Sequence, residues 1–439
     1  MIEKIKSIFN DKDFEEILKK GFSFLLIRIG GLLAGYIFTY LIAINYGAET
    51  NGLIAISFAI ILCVSIFSRL GIDINLIRFF STPENENDKG LFFRVIIIAF
   101  VLSSLFSILL YLNQDFLINR IFKKPNLKPY FLWIALTIPL WTTVLICSGL
   151  FRAKKKNNWF GFFNNTGRFS FALLVFVFFL FFYEDPISVI VAHFLGILLL
   201  AIFSFILSCK LIDKVTLKTK AETFKFIKNS FPMMISEAIL LLLIMADILI
   251  LGVYENEDVV GVYNVTYKIA VLTIFSLQAI NSILAPKIAK SYHEKNYKLC
   301  QKLITFSTNL NFCITICVVS TIIIFNKTIL SFFGEEFLTG SMILIILCVG
   351  QLINSLSGSV GVILQMTGCQ KAYQNIILIA LVINVILNFY LTPKHGALGA
   401  ATATVFSLAF WNITGAVYLK KKLNIISYFR IKKFKSLIK

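Results

Sequence analysis

Charge is the scarcest property of this sequence. Only 15% of its 439 residues are Asp, Glu, Lys or Arg, against about a quarter in ordinary soluble domains. A water-soluble globular chain of this length is thereby excluded. Catalytic signatures are missing as well: no HExxH, GxSxG or Walker pattern occurs, which leaves no basis for a zinc hydrolase, a serine esterase or an ATP-driven pump. The eight cysteines fall in apolar runs or in loops on the side of the termini, and Cys313 and Cys317, although spaced i, i+4, have no histidine or further cysteine beside them. They read as small core residues, with neither a disulfide framework nor a metal site implied. A cleavable signal is not evident either, because the opening MIEKIKSIFNDKDFEEILKK is charged throughout and the apolar run from Gly21 is too long for an h-region. Those first twenty residues read equally as a surface helix turning Ile2, Ile5, Phe9 and Phe14 to lipid, or as a solvated leader.

What the chain does have is apolar length. Hydrophobic residues make up 58% of it, the mean hydropathy is +0.84, and they come in blocks of about twenty, enough to span a bilayer as a helix. The expected fold is an all-α polytopic membrane protein with twelve spans, near 21–44, 52–77, 91–112, 129–150, 160–183, 187–209, 229–253, 259–284, 302–326, 338–363, 372–392 and 396–419. An even count puts both termini on one side. Of the 42 lysines and arginines, 33 fall on that side and 6 opposite, so the positive-inside rule places both ends in the cytoplasm. The formal charge of +19 is then a topology signal, and no nucleic-acid partner is implied. The cluster Arg120, Lys123, Lys124 and Lys128 is the one outer loop that disagrees.

The chain also repeats itself. INYGAETNGLIAISF (44–58) and GVYENEDVVGVYNVTY (252–267) both carry a tyrosine, a polar turn and a glycine opening the next apolar run. Matching Gly52 to Gly261 sets an offset of 209 residues, which also puts Arg78 on Lys287 and Arg28 on Glu237. Two six-span halves that both start in the cytoplasm form a parallel repeat, a plan used by alternating-access transporters. The expected organisation is an N-terminal segment 1–20, a first lobe 21–209, a cytoplasmic linker 210–228, a second lobe 229–419 and a basic cytoplasmic tail 420–439.

The opening pattern LLIRIGGLLAGYIFTYLIAINYGAETNGLIAISF, the stretch RLGIDINLIRFF and the repeated turn before the eighth span resemble the O-antigen and polysaccharide-repeat flippases. Those belong to the superfamily that also holds the MATE exporters and the lipid II flippases. The resemblance implies two six-helix lobes around a central cavity lined by spans 1, 2, 7 and 8, and a polyprenyl-pyrophosphate-linked oligosaccharide as cargo. It implies a multi-pass protein of the bacterial cytoplasmic membrane that is not an enzyme, with membrane lipids and glycan-assembly proteins around it and a monomeric state.

Ionisable groups at membrane depth are costly and are candidates for function. The cations are Arg28, Arg168 and Lys268, the anions Glu237 and Asp247, with Asp73 near the inner end of span 2 and His193 in span 6. Lys268 lies seven residues past Gly261, about 10 Å down a helix at about 1.5 Å per residue. Snorkelling is the alternative for Lys268 and Arg28, and a helix-end position for Arg168. Arg28, Lys268, Arg168 and Arg78 are the candidate cations for a pyrophosphate, which charge-assisted hydrogen bonds would neutralise in transit. Glu237, Asp247 and Asp73 are the candidate coupling or gating acids, and the repeat suggests that Glu237 meets Arg28. Similarity to the lipid II flippases implies a sodium site in the second half, for which Asp247, Asn384, Asn388 and Thr404 are available, Asn384 and Asn388 sharing a helix face. Interhelical hydrogen bonding is the alternative role for those amides. No tightly bound cofactor is expected, with Na+ or H+ as the coupling ion. Competing readings are a lipid II-type flippase, a MATE-type cation antiporter and, against the short outer loops, a membrane glycan polymerase or ligase.

Overall fold

A computed structural model of the protein describes residues 12–80, 82, 85, 88–213 and 215–430, with side chains from Leu26 onward except that of Ile283. Within them the chain is helical and carries no strand. Ile2, Ile5 and Phe9 lie outside the described residues, as does the end of the basic tail. Among the described residues, ten helices are long and apolar enough to cross a membrane. Two of these are broken by a glycine: α1 (Lys12–Arg69) at Gly47, φ 76°, and α15 (Gln370–Leu423) at Gly396, φ 56°. Both angles lie in the left-handed region that glycine enters without a Cβ clash. Gly47 falls between the first two expected spans, and Gly396 opens the expected twelfth.

Two compact units emerge, one made of residues up to Ile42 together with Ser57–Leu241, the other of Ala43–Ile56 with the residues from Leu242 on. The division does not follow the basic stretch 210–228. The tip of the first hairpin packs with the second unit, and the first half of α8 (Thr223–Tyr254) packs with the first.

In the first unit, Ile72 and Leu76 of α2 (Ile72–Phe80), Leu91 and Phe92 of α3 (Lys89–Leu112) and Ile146 and Leu150 of α4 (Lys128–Ala153) bury one apolar core with Phe226. The N-terminus of α3 is closed by Asp88, which accepts from the Leu91 amide at 3.3 Å and from Thr219 at 2.6 Å. Farther along, α3 turns Leu105, Ile108, Leu109 and Leu112 outward, each more than half exposed. A row of bare leucines is unfavourable in water and suits hydrocarbon. Of the discordant basic cluster, Lys128 is paired with Asp115 at 3.1 Å and Lys124 is buried. Between α5 (Asn157–Gly161) and α6 (Gly167–Phe179) runs one π-helical turn, Phe162–Thr166. Aromatic packing holds it: Phe163 lies 5.3 Å from Phe151, 5.8 Å from Trp159 and 5.7 Å from Phe203. The turn also docks on α1. Thr166 donates to the Ile27 carbonyl at 2.5 Å, and a Cβ on Gly31 would lie 2.6 Å from Thr166 Cα, so the small-residue face of span 1 is a packing face. The last helix of this unit before the linker is α7 (Ile187–Ile212).

In the second unit follow α9 (Glu257–Val271), α10 (Phe275–His293), α11 (Tyr297–Ile324), the short α12 (Asn326–Ser331), α13 (Ser341–Ser357), α14 (Val360–Met366) and α15. The expected tenth span is thus interrupted, at Gly358 with φ 77°. Leu284, Ile304, Ile363, Leu364 and Leu419 form its core with Ile425. The tail expected to begin at residue 420 is docked as far as the described residues reach. Gln301 donates to the Ile426 carbonyl at 2.8 Å and accepts from its amide at 2.9 Å. Thr308 donates to the Ser427 carbonyl, the Phe429 amide to Leu356, and the Phe429 ring sits 4.4 Å from Phe312. Beyond it, a hydrogen bond with Arg430 holds the Tyr428 phenol below the usual tyrosine range.

The repeat is visible inside the second unit. A Cβ on Gly52 would fall 1.8 Å from the Glu257 carbonyl oxygen, and one on Gly261 would fall 1.9 Å from that of Ala48. Each would also lie 3.0 Å from the other glycine's amide nitrogen. Ala48 and Glu257 are separated by the same 209 residues as Gly52 and Gly261, so two equivalent turns press on one another reciprocally, backbone to backbone. Above this contact, Glu336 accepts from the Ala48 amide at 2.6 Å.

Candidate functional site

The strongest polar assembly lies wholly in the second unit, around Asp247. This residue sits seven positions before the end of α8 and is 1% exposed. A carboxylate at that depth has to be compensated by donors, and four side chains supply them. Its Oδ2 accepts from Tyr263 Oη of α9 at 2.6 Å and from the Thr404 hydroxyl of α15. Its Oδ1 accepts from Asn388 Nδ2 at 2.8 Å and Asn384 Nδ2 at 3.4 Å. Ser407 Oγ is 3.3 Å from the Asn384 amide nitrogen, and Thr392 Oγ1 3.3 Å from Asn388 Oδ1. Asn384 and Asn388 lie one turn apart on the first arm of α15, Thr404 beyond the Gly396 break on the second. The break therefore brings the two arms of α15 to the same carboxylate. Asp247, Asn384, Asn388 and Thr404, proposed from sequence, meet here; Tyr263 and Ser407 were not foreseen. A phenol two residues past a turn glycine and inside an apolar run was the available signal, since a buried tyrosine hydroxyl seeks a partner.

One carboxylate, two carboxamides and two hydroxyls carry hard-oxygen groups and a single negative charge, with the amide nitrogens rather than the amide oxygens turned to the carboxylate. Asn384 Oδ1 is buried without a partner, which leaves an oxygen of this set available to a cation. Among the described residues, no three His, Cys, Asp or Glu side chains gather as a metal cluster. The residues present fit a single monovalent cation.

A second assembly lies in the first unit. Leu70 and Gly71 both adopt positive φ, 53° and 71°, between the end of α1 and the start of α2. A Cβ on Gly71 would fall 2.6 Å from the Ser230 carbonyl oxygen and 2.7 Å from the Met234 nitrogen, so α8 presses directly on the break. Arg69 and Asp73 flank it. Arg69 Nε lies 3.3 Å from Asp73 Oδ1, and Arg69 Nη2 is in close contact with Glu237 Oε1 of α8. Asn75 adds hydrogen bonds to the Phe226 carbonyl and Ser230 Oγ, both at 3.0 Å. Glu237 was expected to meet Arg28; the structure pairs it with Arg69. The i, i+4 spacing of Arg69 and Asp73 at a span end was the sequence signal for it. Arg69→Gln leaves two acids facing each other without their cation. Breaking a buried pair costs about 3–5 kcal/mol; because Glu237 is a third exposed, screening reduces this to about 2 kcal/mol. The expected outcome is a lower thermal midpoint of the purified protein, partly recovered in Arg69→Lys.

The remaining cations fall in different settings. Arg28 in α1 and Lys268 in α9 are half-buried, each within a helix long and apolar enough to cross a membrane. Arg78 is exposed and lines a pocket of about 420 Å³ in the first unit, with Asn75, Lys220, Lys225 and Asn229. Arg168 is 8% exposed, enclosed by the first unit's own aromatic side chains.

A model of the family described as polysaccharide biosynthesis protein matches residues 17–292. The chain belongs to that family. A second model, MatE, matches residues 232–390 of this polysaccharide biosynthesis protein. A curated relative, the probable low-salt glycan biosynthesis flippase Agl15 of Haloferax volcanii, is 27% identical over 180 residues; the match spans 41% of this chain and 38% of the relative's length. Among solved structures, the lipid II flippase MurJ in an inward closed conformation superposes with a TM-score of 0.78 at 18% identity, over 94% of this chain and 89% of that one. An inward-facing multidrug resistance MATE family transporter of the MOP superfamily gives 0.72 at 14%, over 91% and 98%. A MOP superfamily transporter from Pyrococcus furiosus gives 0.68 at 13%, over 93% and 96%. The fold of this family member is therefore the one these structures share, and it is a multi-pass membrane protein.

Proposed function

We propose that the protein is a flippase of the bacterial cytoplasmic membrane. It carries a polyprenyl-diphosphate-linked oligosaccharide from one leaflet to the other by alternating access, with twelve spans in two six-span halves and both termini cytoplasmic. The observation that carries this reading is the family match, which covers more than half the chain. The chemistry supports it. A diphosphate cannot cross hydrocarbon without compensation, and Arg28 and Lys268 each hold a cation at a depth where an unused one is costly. Their donors suit phosphate oxygens, the guanidinium in a bidentate manner and the ammonium as a point charge.

Asp247, with Asn384, Asn388 and Thr404, is the proposed holder of a coupling cation, sodium or a proton. When bound, such an ion would supply the gradient's free energy. The residues themselves join α8, α9 and both arms of α15 through one charge, so the arrangement of three helices depends on how that charge is balanced. The same centre and the MatE match favour a second reading, a cation antiporter. A cationic substrate, however, has no use for Arg28 and Lys268.

Depletion of the protein in its host tests the proposal. A lipid-linked saccharide is expected to accumulate on the cytoplasmic face, and Arg28→Gln combined with Lys268→Gln to restore less than about a tenth of export, a loss of at least about 1.4 kcal/mol. Unchanged glycan export with altered drug tolerance would favour the antiporter.

A further inference from the structure

Arg168 is not explained by any of this. It lies two residues past the π-helical turn Phe162–Thr166, and such turns recur at functional positions. Its guanidinium is buried among rings, Cζ lying 4.6 Å from the Phe58 centroid, 5.0 Å from Phe169 and 5.4 Å from Trp141. Among the described residues no carboxylate stands within ion-pair distance of it. Its one polar contact runs from Nε to His193 Nε2 at 3.1 Å. His193 is fully buried, its ring 4.3 Å from that of Phe58.

Since His193 Nε2 accepts, the neutral imidazole carries its proton on Nδ1. That Nδ1 is buried without a partner, and so are Arg168 Nη2 and Trp141 Nε1. On the guanidinium side there are thus two unanswered donors, Arg168 Nη2 and Trp141 Nε1, and the one acceptor, His193 Nε2, is neutral; His193 Nδ1 points away from the guanidinium. Cation–π contacts offset only part of the cost of a buried charge that has no counter-ion. A water molecule would satisfy some of the hydrogen bonds and balance none of the charge. A small monovalent anion does both: it accepts from several N–H groups without a fixed geometry, and the positive edges of the surrounding rings tolerate it.

We infer that the first unit holds a buried monovalent anion of the halide class, chloride under ordinary conditions, beside Arg168 and Trp141, with the neutral His193 orienting the guanidinium from its other side. This assigns Arg168 to a resident ion within one unit and removes it from the cations that meet the cargo.

The test uses the purified full-length protein. Its thermal unfolding is followed in sodium chloride, sodium bromide and sodium gluconate at equal ionic strength, so that sodium at Asp247 is constant. Chloride and bromide are expected to raise the midpoint saturably, gluconate to leave it unmoved, and bromide crystals to show an anomalous peak beside Arg168. Arg168→Gln should abolish the halide response. Trp141→Phe keeps a ring and deletes one donor, and should move half-saturation to higher halide even if Arg168→Gln fails to fold. Equal midpoints of the native protein in halide and gluconate would overturn the inference, as would an unchanged half-saturation in Trp141→Phe.

Discussion

Asp247→Asn is expected to reduce transport ten- to a hundredfold and to abolish its response to the coupling ion. The substitution keeps the shape of the side chain and deletes the only charge that Tyr263, Asn388, Asn384 and Thr404 share. Hydrogen bonds to a charged group contribute about 1.5–3 kcal/mol, and the new amide turns a donor toward groups that are themselves donors. Initial transport rates measured with and without sodium, and at two proton gradients, check this. The native protein should respond to one of the two ions and Asp247→Asn to neither. Thr404→Ala, which removes one hydroxyl and leaves the charge, should retain a partial response.

The second large effect is steric. Gly261→Val and Gly52→Val each place side-chain atoms where a backbone carbonyl already stands, at 1.9 Å and 1.8 Å from the first new carbon. No rotamer relieves this, because the obstacles are main-chain oxygens of Ala48 and Glu257. The turns must separate, at a cost above the roughly 1–3 kcal/mol typical of overpacking. Near-complete loss of transport and a lower thermal midpoint are expected of either variant. Gly30→Ala is the control: its new carbon would meet nothing nearer than Thr166 Cγ2 at 3.9 Å, and it should behave as the native protein does. The reciprocity of the contact predicts that the Gly52 and Gly261 variants are similar in severity.

Much of this was legible in the sequence for a physical reason. Apolar blocks of bilayer length leave the backbone no option but helix, so the elements could be read directly. The Gly52–Gly261 match was legible because only glycine permits the approach that the structure shows. Asp247 and the two asparagines stood out because polar side chains in apolar runs are costly. Pairings across the fold were not legible. Glu237 was matched to Arg28 by repeat arithmetic, but the left-handed pair Leu70–Gly71 carries Arg69 inward to take that place, and nothing about a leucine announces positive φ. The docked residues Ile425–Phe429 were missed for a related reason. Their neighbours on the chain are lysines, while the groups that hold them, Gln301 and Thr308, lie more than a hundred positions away. The enclosure of Arg168 could not be read either, since Phe58, Trp141 and His193 come from three other segments.

The central claim, that cations in this fold carry a diphosphate across the membrane, is tested most directly by reconstitution. Purified protein is placed in vesicles containing a polyprenyl-diphosphate-linked saccharide labelled on the sugar, and the share of label reached by an external glycosidase is followed in time. The account predicts that the native protein makes the inner-leaflet label accessible, and that Arg28→Gln with Lys268→Gln does not, though the variant folds and inserts. Equal rates for both proteins, or no movement of the saccharide by the native chain while it drives a cationic dye across the same vesicles, would contradict it.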